Sequence, residues 1–300
     1  MTNRRDFLRQ LGGAAAASSL LPMASSLPFV RAEDIKFGCA AITWGGNDER
    51  AIDDISALGY AGIQLRTSAL KAYADKPAAL RDLLAQRHLT FVALSSGNVP
   101  IDPGTREKVI EEHLAHARFL RAAGGLYLQL IDERPRGRPV GPADYPQLGR
   151  LLTEIGKRVA DVGVQAAYHP HMGSMGEKPD EIDRILDTTD PKYVRLLFDV
   201  AHYQAGGGDP ALAIHRYANR IALLHIKDLR QPAGSAPYQF VELGRGSVNL
   251  PAVFLALREE HFDGWAVVEL DSVPEPDLSP KEAAAISKRY LETKIGARIP

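Results

Sequence analysis

Four short segments in the second half of the chain concentrate groups that bind metals or move protons. They are Tyr168-His169-Pro170-His171-Met172-Gly173, Phe198-Asp199-Val200-Ala201-His202, His225-Ile226-Lys227-Asp228 and Val268-Glu269-Leu270-Asp271. Each follows a short apolar run rich in branched residues, so the ionisable groups stand where a buried strand emerges. A charge there is expensive unless it is paired or bound to a metal. Imidazole and carboxylate donors together suit manganese, iron, cobalt or zinc, whereas an all-oxygen set suits magnesium or calcium. The other histidines are placed differently. His88 and His261 fall at helix ends and His215 within a helix. His113 and His116 share a helix face at ligand-pair spacing, and the pattern around them reads as a solvated surface.

Bringing four distant segments to one place requires a repeating framework, and the hydrophobic pattern supplies one. Candidate strands are Ile35–Ala41, Ala61–Leu65, Leu89–Leu94, Leu126–Leu130, Val164–Tyr168, Val194–Phe198, Ile221–Ile226 and Trp265–Glu269. Between them lie amphipathic stretches at Asp48–Leu58, Thr105–Ala122, Asp144–Val162, Pro179–Leu186, Pro210–Ala218 and Leu250–Glu260, and Pro280–Leu291 closes the chain. Gly59, Gly124 and Gly163 stand as helix stops. Eight strand–helix units in about 260 residues fit a single α/β (β/α)8 TIM barrel better than an open sheet. The irregular stretches Asp132–Pro142 and Leu229–Ser247 each follow a strand, which assigns them to the C-terminal face where barrels build their sites.

The composition agrees. A chain of 300 residues with 45% hydrophobic and 24% charged residues is long enough to bury a large core and is neither disordered nor fibrous. Cys39 is the single cysteine, so no intrachain disulfide forms. The formal net charge of -1 argues against a nucleic-acid partner. The N-terminus reads as separate from the barrel, giving residues 1–32 as a signal and 33–300 as the folded domain. Arg4-Arg5 with Phe7-Leu8 precedes an uncharged stretch from Leu11 to Leu21, too short to span a bilayer, and Val30-Arg31-Ala32 offers a small-residue cleavage site. This pattern resembles a twin-arginine export signal, an address read by the export machinery and no stable membrane anchor. The expected location is the periplasm. Removing residues 1–32 leaves 32 basic and 36 acidic residues, a net charge of -4.

The four strand-end segments, with Leu224-His225-Ile226-Lys227-Asp228-Leu229-Arg230, Gly264-Trp265-Ala266-Val267-Val268-Glu269 and Glu177-Lys178-Pro179-Asp180, resemble the xylose isomerase-like barrels of the sugar phosphate isomerase/epimerase superfamily. Within it the likeness is to the inosose-dehydratase-like members. It is strong over the second half and rests in the first on Phe37-Gly38 and Gly59-Tyr60-Ala61-Gly62. The resemblance implies one divalent metal, manganese foremost and cobalt, iron or zinc as alternatives. Its ligands would be His169, Asp199, His225 and Glu269, with His171 the alternative to His169. His169 stands where isomerases and epimerases carry glutamate, and Gln64 where many relatives carry another.

A His-Asp-His-Glu set is neutral around a divalent cation, which leaves the cation a stronger Lewis acid. It also lacks the two facing glutamates that act as mirror-image bases in epimerases. The expected reaction is therefore one-sided: removal of an α-proton beside a ketone, then loss of a β-oxygen from a keto-cyclitol or keto-sugar. Glu269 or His171 would be the base, and His202 or Lys227 the acid. Asp228 would orient Lys227 or meet the substrate. Arg245 would bind substrate oxygens or cap its own loop, and Trp44 would stack on a sugar face or pack at the rim. Export argues for a substrate outside cytoplasmic inositol breakdown, such as a 3-keto-glycoside. The alternatives are an isomerase or epimerase using the same metal, and a periplasmic sugar-binding protein with a vestigial site. A trinuclear barrel nuclease conflicts with the acidic charge. Self-association into a homo-oligomer stays open.

Overall fold

Each expected strand is continuously apolar because both its faces are covered, one by the barrel interior and the other by helices. The computed structural model describes residues 35–231 and 236–300. The expected export signal at 1–32 lies outside the described residues. The strands are β1 (Lys36–Ala40), β2 (Gly62–Arg66), β3 (Thr90–Val99), β4 (Tyr127–Asp132), β5 (Gln165–Tyr168), β6 (Val194–Asp199), β7 (Ile221–Ile226), β8 (Asp228–Arg230), β9 (Gln239–Val241) and β10 (Trp265–Val268). All but β8 and β9 pair in parallel and close into a barrel, with β1 bonded to both β2 and β10. The expected (β/α)8 TIM barrel is the fold.

The barrel floor is apolar. Ala40, Val92, Ala93, Ala167, Leu197, Leu223, Trp265 and Val267 form one buried cluster inside it. Gly62 makes room for the largest of these, since a Cβ there would lie 2.5 Å from Trp265 Cζ3. The outer layer comprises α1 (Asp48–Ala57), α2 (Leu70–Tyr73), α3 (Pro77–Gln86), α4 (Arg106–Ala122), α5 (Asp144–Asp161), α6 (Pro179–Leu186), α7 (Val200–Ala205), α8 (Pro210–Tyr217), α9 (Leu250–Glu259) and α10 (Pro280–Tyr290). The expected glycine stops hold: Gly59, Gly124 and Gly163 all have φ near +80°, a conformation costly for other residues. Among the described residues no helix is long and apolar enough to cross a membrane.

Three elements depart from the sequence patterning. Between β2 and β3, where only a helix end at His88 was expected, without bounds, α2 and α3 stand; α3 begins at Pro77, where a missing N–H is harmless. The sixth strand runs one residue past the expected Phe198, and a helix the patterning did not show follows it. The strand stops at Asp199, whose Oδ1 accepts from the backbone N–H groups of Ala201 and His202 at 2.8 Å each and starts α7. The Leu229–Ser247 stretch is not wholly irregular, because β8 and β9 pair as an antiparallel hairpin.

The expectation of a solvated His113–His116 face is also corrected. His113 is buried, and both rings converge on the buried Ser96 of β3. Ser96 Oγ lies 2.6 Å from His113 Nδ1 and 2.8 Å from His116 Nδ1, and His113 Nε2 donates to the Asn98 carbonyl at 3.2 Å. The β3–β4 register shifts between Ser95 and Asn98, so this cluster pins an irregular stretch of strand against α4. Periodicity misses it because α4 turns a polar residue toward a polar strand.

Burial lowers the His113 pKa from 6.5 to about 4. The unfolded chain therefore binds a proton that the folded chain refuses, and the stability this group contributes is full above pH 6.5 and is lost as the pH falls through about 4. His113→Gln is expected to flatten the stability–pH profile in that window by roughly 3 kcal/mol, read by urea unfolding. An unaltered slope would remove the assignment.

Candidate metal centre and active site

The C-terminal ends of β5, β6, β7 and β10 deliver His169, Asp199, His225 and Glu269 to one point in the barrel mouth. Each offers a ligand atom, and these atoms all lie within 4.8 Å of one another. All four residues are buried. His225 Nδ1 is 3.3 Å from Glu269 Oε1 and 3.5 Å from Asp199 Oδ2. His169 Nδ1, His225 Nδ1 and Asp199 Oδ2 are buried without any hydrogen-bond partner. A buried polar atom left so costs about 1–3 kcal/mol. Converging imidazole and carboxylate donors with no proton to bind are what a cation site requires, so these residues fit a divalent metal.

The surrounding residues aim those atoms. Asp199 Oδ1 is held by the α7 N-terminus, which leaves Oδ2 pointing into the cluster. Gln64 Nε2 donates to Gln129 Oε1 at 2.6 Å, so Gln64 Oε1 is an acceptor, and it receives His225 Nε2–H at 3.0 Å. That bond puts the His225 proton on Nε2 and the lone pair on Nδ1. The sequence marked Gln64 only as a departure from the glutamate of many relatives, and its orienting role needed the cross-barrel contact.

Lys227 is fully buried beside the cluster. Its Nζ lies 3.1 Å from Glu269 Oε1, 2.6 Å from Asp271 Oδ1 and 4.0 Å from the centre of the Phe240 ring. Burial opposes its charge, but the carboxylates of Glu269, Asp199 and Asp271 outweigh that and hold its pKa above the ordinary range. Burial would raise the pKa of Asp199, yet the nearby positive charge of Lys227 and the surrounding polar groups outweigh it and hold the carboxyl well below the usual range. Burial likewise keeps the His169 and His202 rings neutral. Asp199, Glu269 and Asp271 against Lys227 leave a net charge of -2, the complement of one divalent cation.

A cavity of about 170 Å³ opens over this cluster, its wall including Gln64, Arg66, Ser95, His171, Glu269 and Asp271. His171 Nδ1 donates to the Met172 carbonyl at 2.7 Å, so Nε2 carries the lone pair. The loop bearing His171 hangs on Asp132 at the end of β4. Asp132 accepts from Tyr168 OH at 2.7 Å, from Ser174 Oγ at 3.0 Å and from the backbone N–H groups of Met175 and Gly176, and Ser174 Oγ also bonds the His171 carbonyl at 2.7 Å. Sequence reading saw Asp132 only as the start of an irregular loop.

Several expected roles change. His202 does not line this cavity. Its ring centre lies 3.9 Å from that of His171, and its Nδ1 accepts from the Met172 N–H at 3.5 Å. Lys227 is enclosed by its carboxylates and is placed to hold charge rather than to release a proton. Asp271, which the cavity does reach, is its partner in place of Asp228. The Asp228 carboxylate is fully occupied, accepting from the backbone N–H groups of Leu229, Gly244, Gly246 and Val248 at 2.9–3.0 Å. It fixes the loop in which Arg245 turns to the buried Glu242 at 3.1 Å. Trp44 packs at the rim, with Nε1 donating to Asp54 at 3.0 Å. None of Asp228, Arg245 and Trp44 lines the cavity.

A barrel of this topology with a strand-end donor cluster defines a class, and the family comparison agrees. The model of the xylose isomerase-like TIM barrel family matches residues 52–293, and the chain belongs to that family. The inosose dehydratase of Lacticaseibacillus casei is 29% identical to it, covering 87% of this chain and 97% of that protein. That of Bacillus velezensis is 25% identical, covering 88% and 97%. Among solved structures, the IolI protein with a bound zinc atom superposes at a TM-score of 0.74 and 20% identity, covering 86% of this chain and 97% of that one.

The Gln64 contact gives a direct expectation. Gln64→Leu removes the acceptor that fixes the His225 tautomer, and manganese affinity measured by chelator competition should fall about 10- to 100-fold with the fold intact. Unchanged affinity would exclude Gln64 from orienting the site.

Proposed function

We propose that this chain is a divalent-metal-dependent lyase that removes the proton beside a ketone and eliminates the β-oxygen of a keto-cyclitol or keto-sugar. The observation that carries this reading is the buried donor set of His169, Asp199, His225 and Glu269, with three unpartnered atoms, facing a cavity whose wall includes His171, its Nδ1 already engaged by the Met172 carbonyl. The likeness to inosose dehydratases supports dehydration as the outcome.

A divalent cation held by those four residues, with manganese the first choice, supplies Lewis acidity toward a ketone oxygen. The protein's own groups do the rest. His171 takes the α-proton at Nε2 while its Nδ1–H stays on the Met172 carbonyl. The electron pair of that C–H bond forms the new double bond, and the β-carbon–oxygen bond breaks. His171, now protonated, returns the proton to the leaving oxygen, so the balance is loss of one water or alcohol. Glu269 and Asp271 are oriented by Lys227, whose charge also opposes the build-up of negative charge nearby. His202 backs the His171 ring and positions it.

Residues 1–32 support export by the twin-arginine route. In the periplasm a 3-keto-glycoside would fit the same chemistry, because elimination beside its ketone releases the aglycone.

The test uses manganese-loaded protein in D2O with keto-inositol, a 3-keto-glycoside and common ketohexoses, read by mass spectrometry. Loss of water or release of an aglycone is expected, with activity lost on metal chelation and regained on reloading. An isobaric product carrying one deuterium, with nothing eliminated, would replace the lyase by an isomerase. Turnover that survives complete metal removal would sink the metal assignment. His171→Gln should cut α-proton exchange by about 10²-fold or more while bound metal stays stoichiometric. Exchange at the wild-type rate would return the base role to Glu269.

A further inference from the structure

Arg66 is the last residue of β2 and two positions beyond Gln64. Alternation along a strand puts both side chains on the same, inward face. Around the closed barrel β2 is four strands from β6 in either direction, so Arg66 stands diametrically across the mouth from Asp199. The cavity is lined by Arg66 and Ser95 and, farther round the barrel, by His169, His171, Glu269 and Asp271. Arg66 and Ser95 are register partners in adjacent strands.

The two walls differ in how their charges are met. On the cluster side Lys227 is matched by Glu269 and Asp271. On the far side the Arg66 guanidinium is exposed and has no hydrogen bond or ion pair among the described residues. Asp48 feels its charge but is hydrogen-bonded to Ser68, at 3.2 Å. The Ser95 hydroxyl is half-buried and also has no partner among the described residues. A guanidinium only donates, in a planar fork that matches two oxygens of an anion, whereas a sugar hydroxyl both donates and accepts.

We propose that Arg66 and Ser95 form an oxyanion subsite and that the substrate carries a carboxylate or phosphate at the end remote from its ketone. This rests on the lyase reading of the same cavity and narrows its substrate class to anionic keto-sugars. A ketone held at the cluster directs the opposite end of a sugar ring toward β2 and β3, where an anionic oxygen would meet the guanidinium fork.

Calorimetric titration of the metal-loaded full chain with glucose, glucuronate and glucose 6-phosphate tests the subsite without turnover. At least one anion should bind about tenfold or more tightly than glucose, the worth of one charge-assisted hydrogen bond. Which anion gains more separates carboxylate from phosphate. Arg66→Gln should erase the preference, Arg66→Lys should keep part of it, and Ser95→Ala should reduce it, with thermal melts of all three matching the wild type. Equal affinities, undetectable binding of both anions, or a preference that survives Arg66→Gln would overturn the subsite. An anion preference without elimination from any ketone would instead sink the lyase reading and leave the subsite standing. Elimination from neutral keto-inositol with no anion preference would do the reverse.

Discussion

Burial of two carboxylates and two imidazoles at the mouth of a closed barrel is the constraint around which the rest of the molecule is arranged. None of the four can be stable there alone, because desolvation penalises each charge and each unpartnered lone pair. The structure answers with Lys227 from within, Gln64 and Gln129 from across the barrel and the α7 N-terminus from below. What is left, a net charge of -2 and buried imidazole and carboxylate atoms without hydrogen-bond partners, matches what one divalent cation would require.

The same economy governs the loops. Asp132 and Asp228 are buried carboxylates that line neither the cavity nor the donor cluster. Each spends its oxygens on neighbouring donors, largely backbone N–H groups, and so turns a loop rich in glycine and proline into a fixed object. Asp132 sets the loop that carries His171. Asp228 sets the loop after the β8–β9 hairpin and requires glycine at 246, where a Cβ would lie 2.1 Å from its Oδ1. Strand-end carboxylates thus divide into those that meet the cavity and those that shape its border. That division is invisible in their sequence context, since Asp199 and Asp228 both follow apolar strands.

The eight barrel strands were legible because parallel strands covered on both faces are apolar over most of their length. The glycine stops were legible because only glycine takes φ near +80° without strain. The four donor residues were legible because ionisable groups at strand ends are few and expensive. What escaped was local and short. Helix α7 and the β8–β9 hairpin have too few residues for a period, and the Ser96–His113–His116 cluster inverts the rule that polar helix positions face water.

Sequence by itself determined the barrel, the order of its strands and the types of donor at the ends of the fifth to eighth barrel strands, because covalent order and the burial of apolar runs decide these. Tertiary structure alone decided which of those residues face one another. It set His169 beside Asp199, His225 and Glu269 and also beside His171 and His202, gave Lys227 the partner Asp271 in place of Asp228, withdrew Trp44 and Arg245 from the cavity and left Arg66 open to it. The reason is directional. A strand end fixes where a residue emerges, while the bonds made by its neighbours across the barrel fix which way its side chain points.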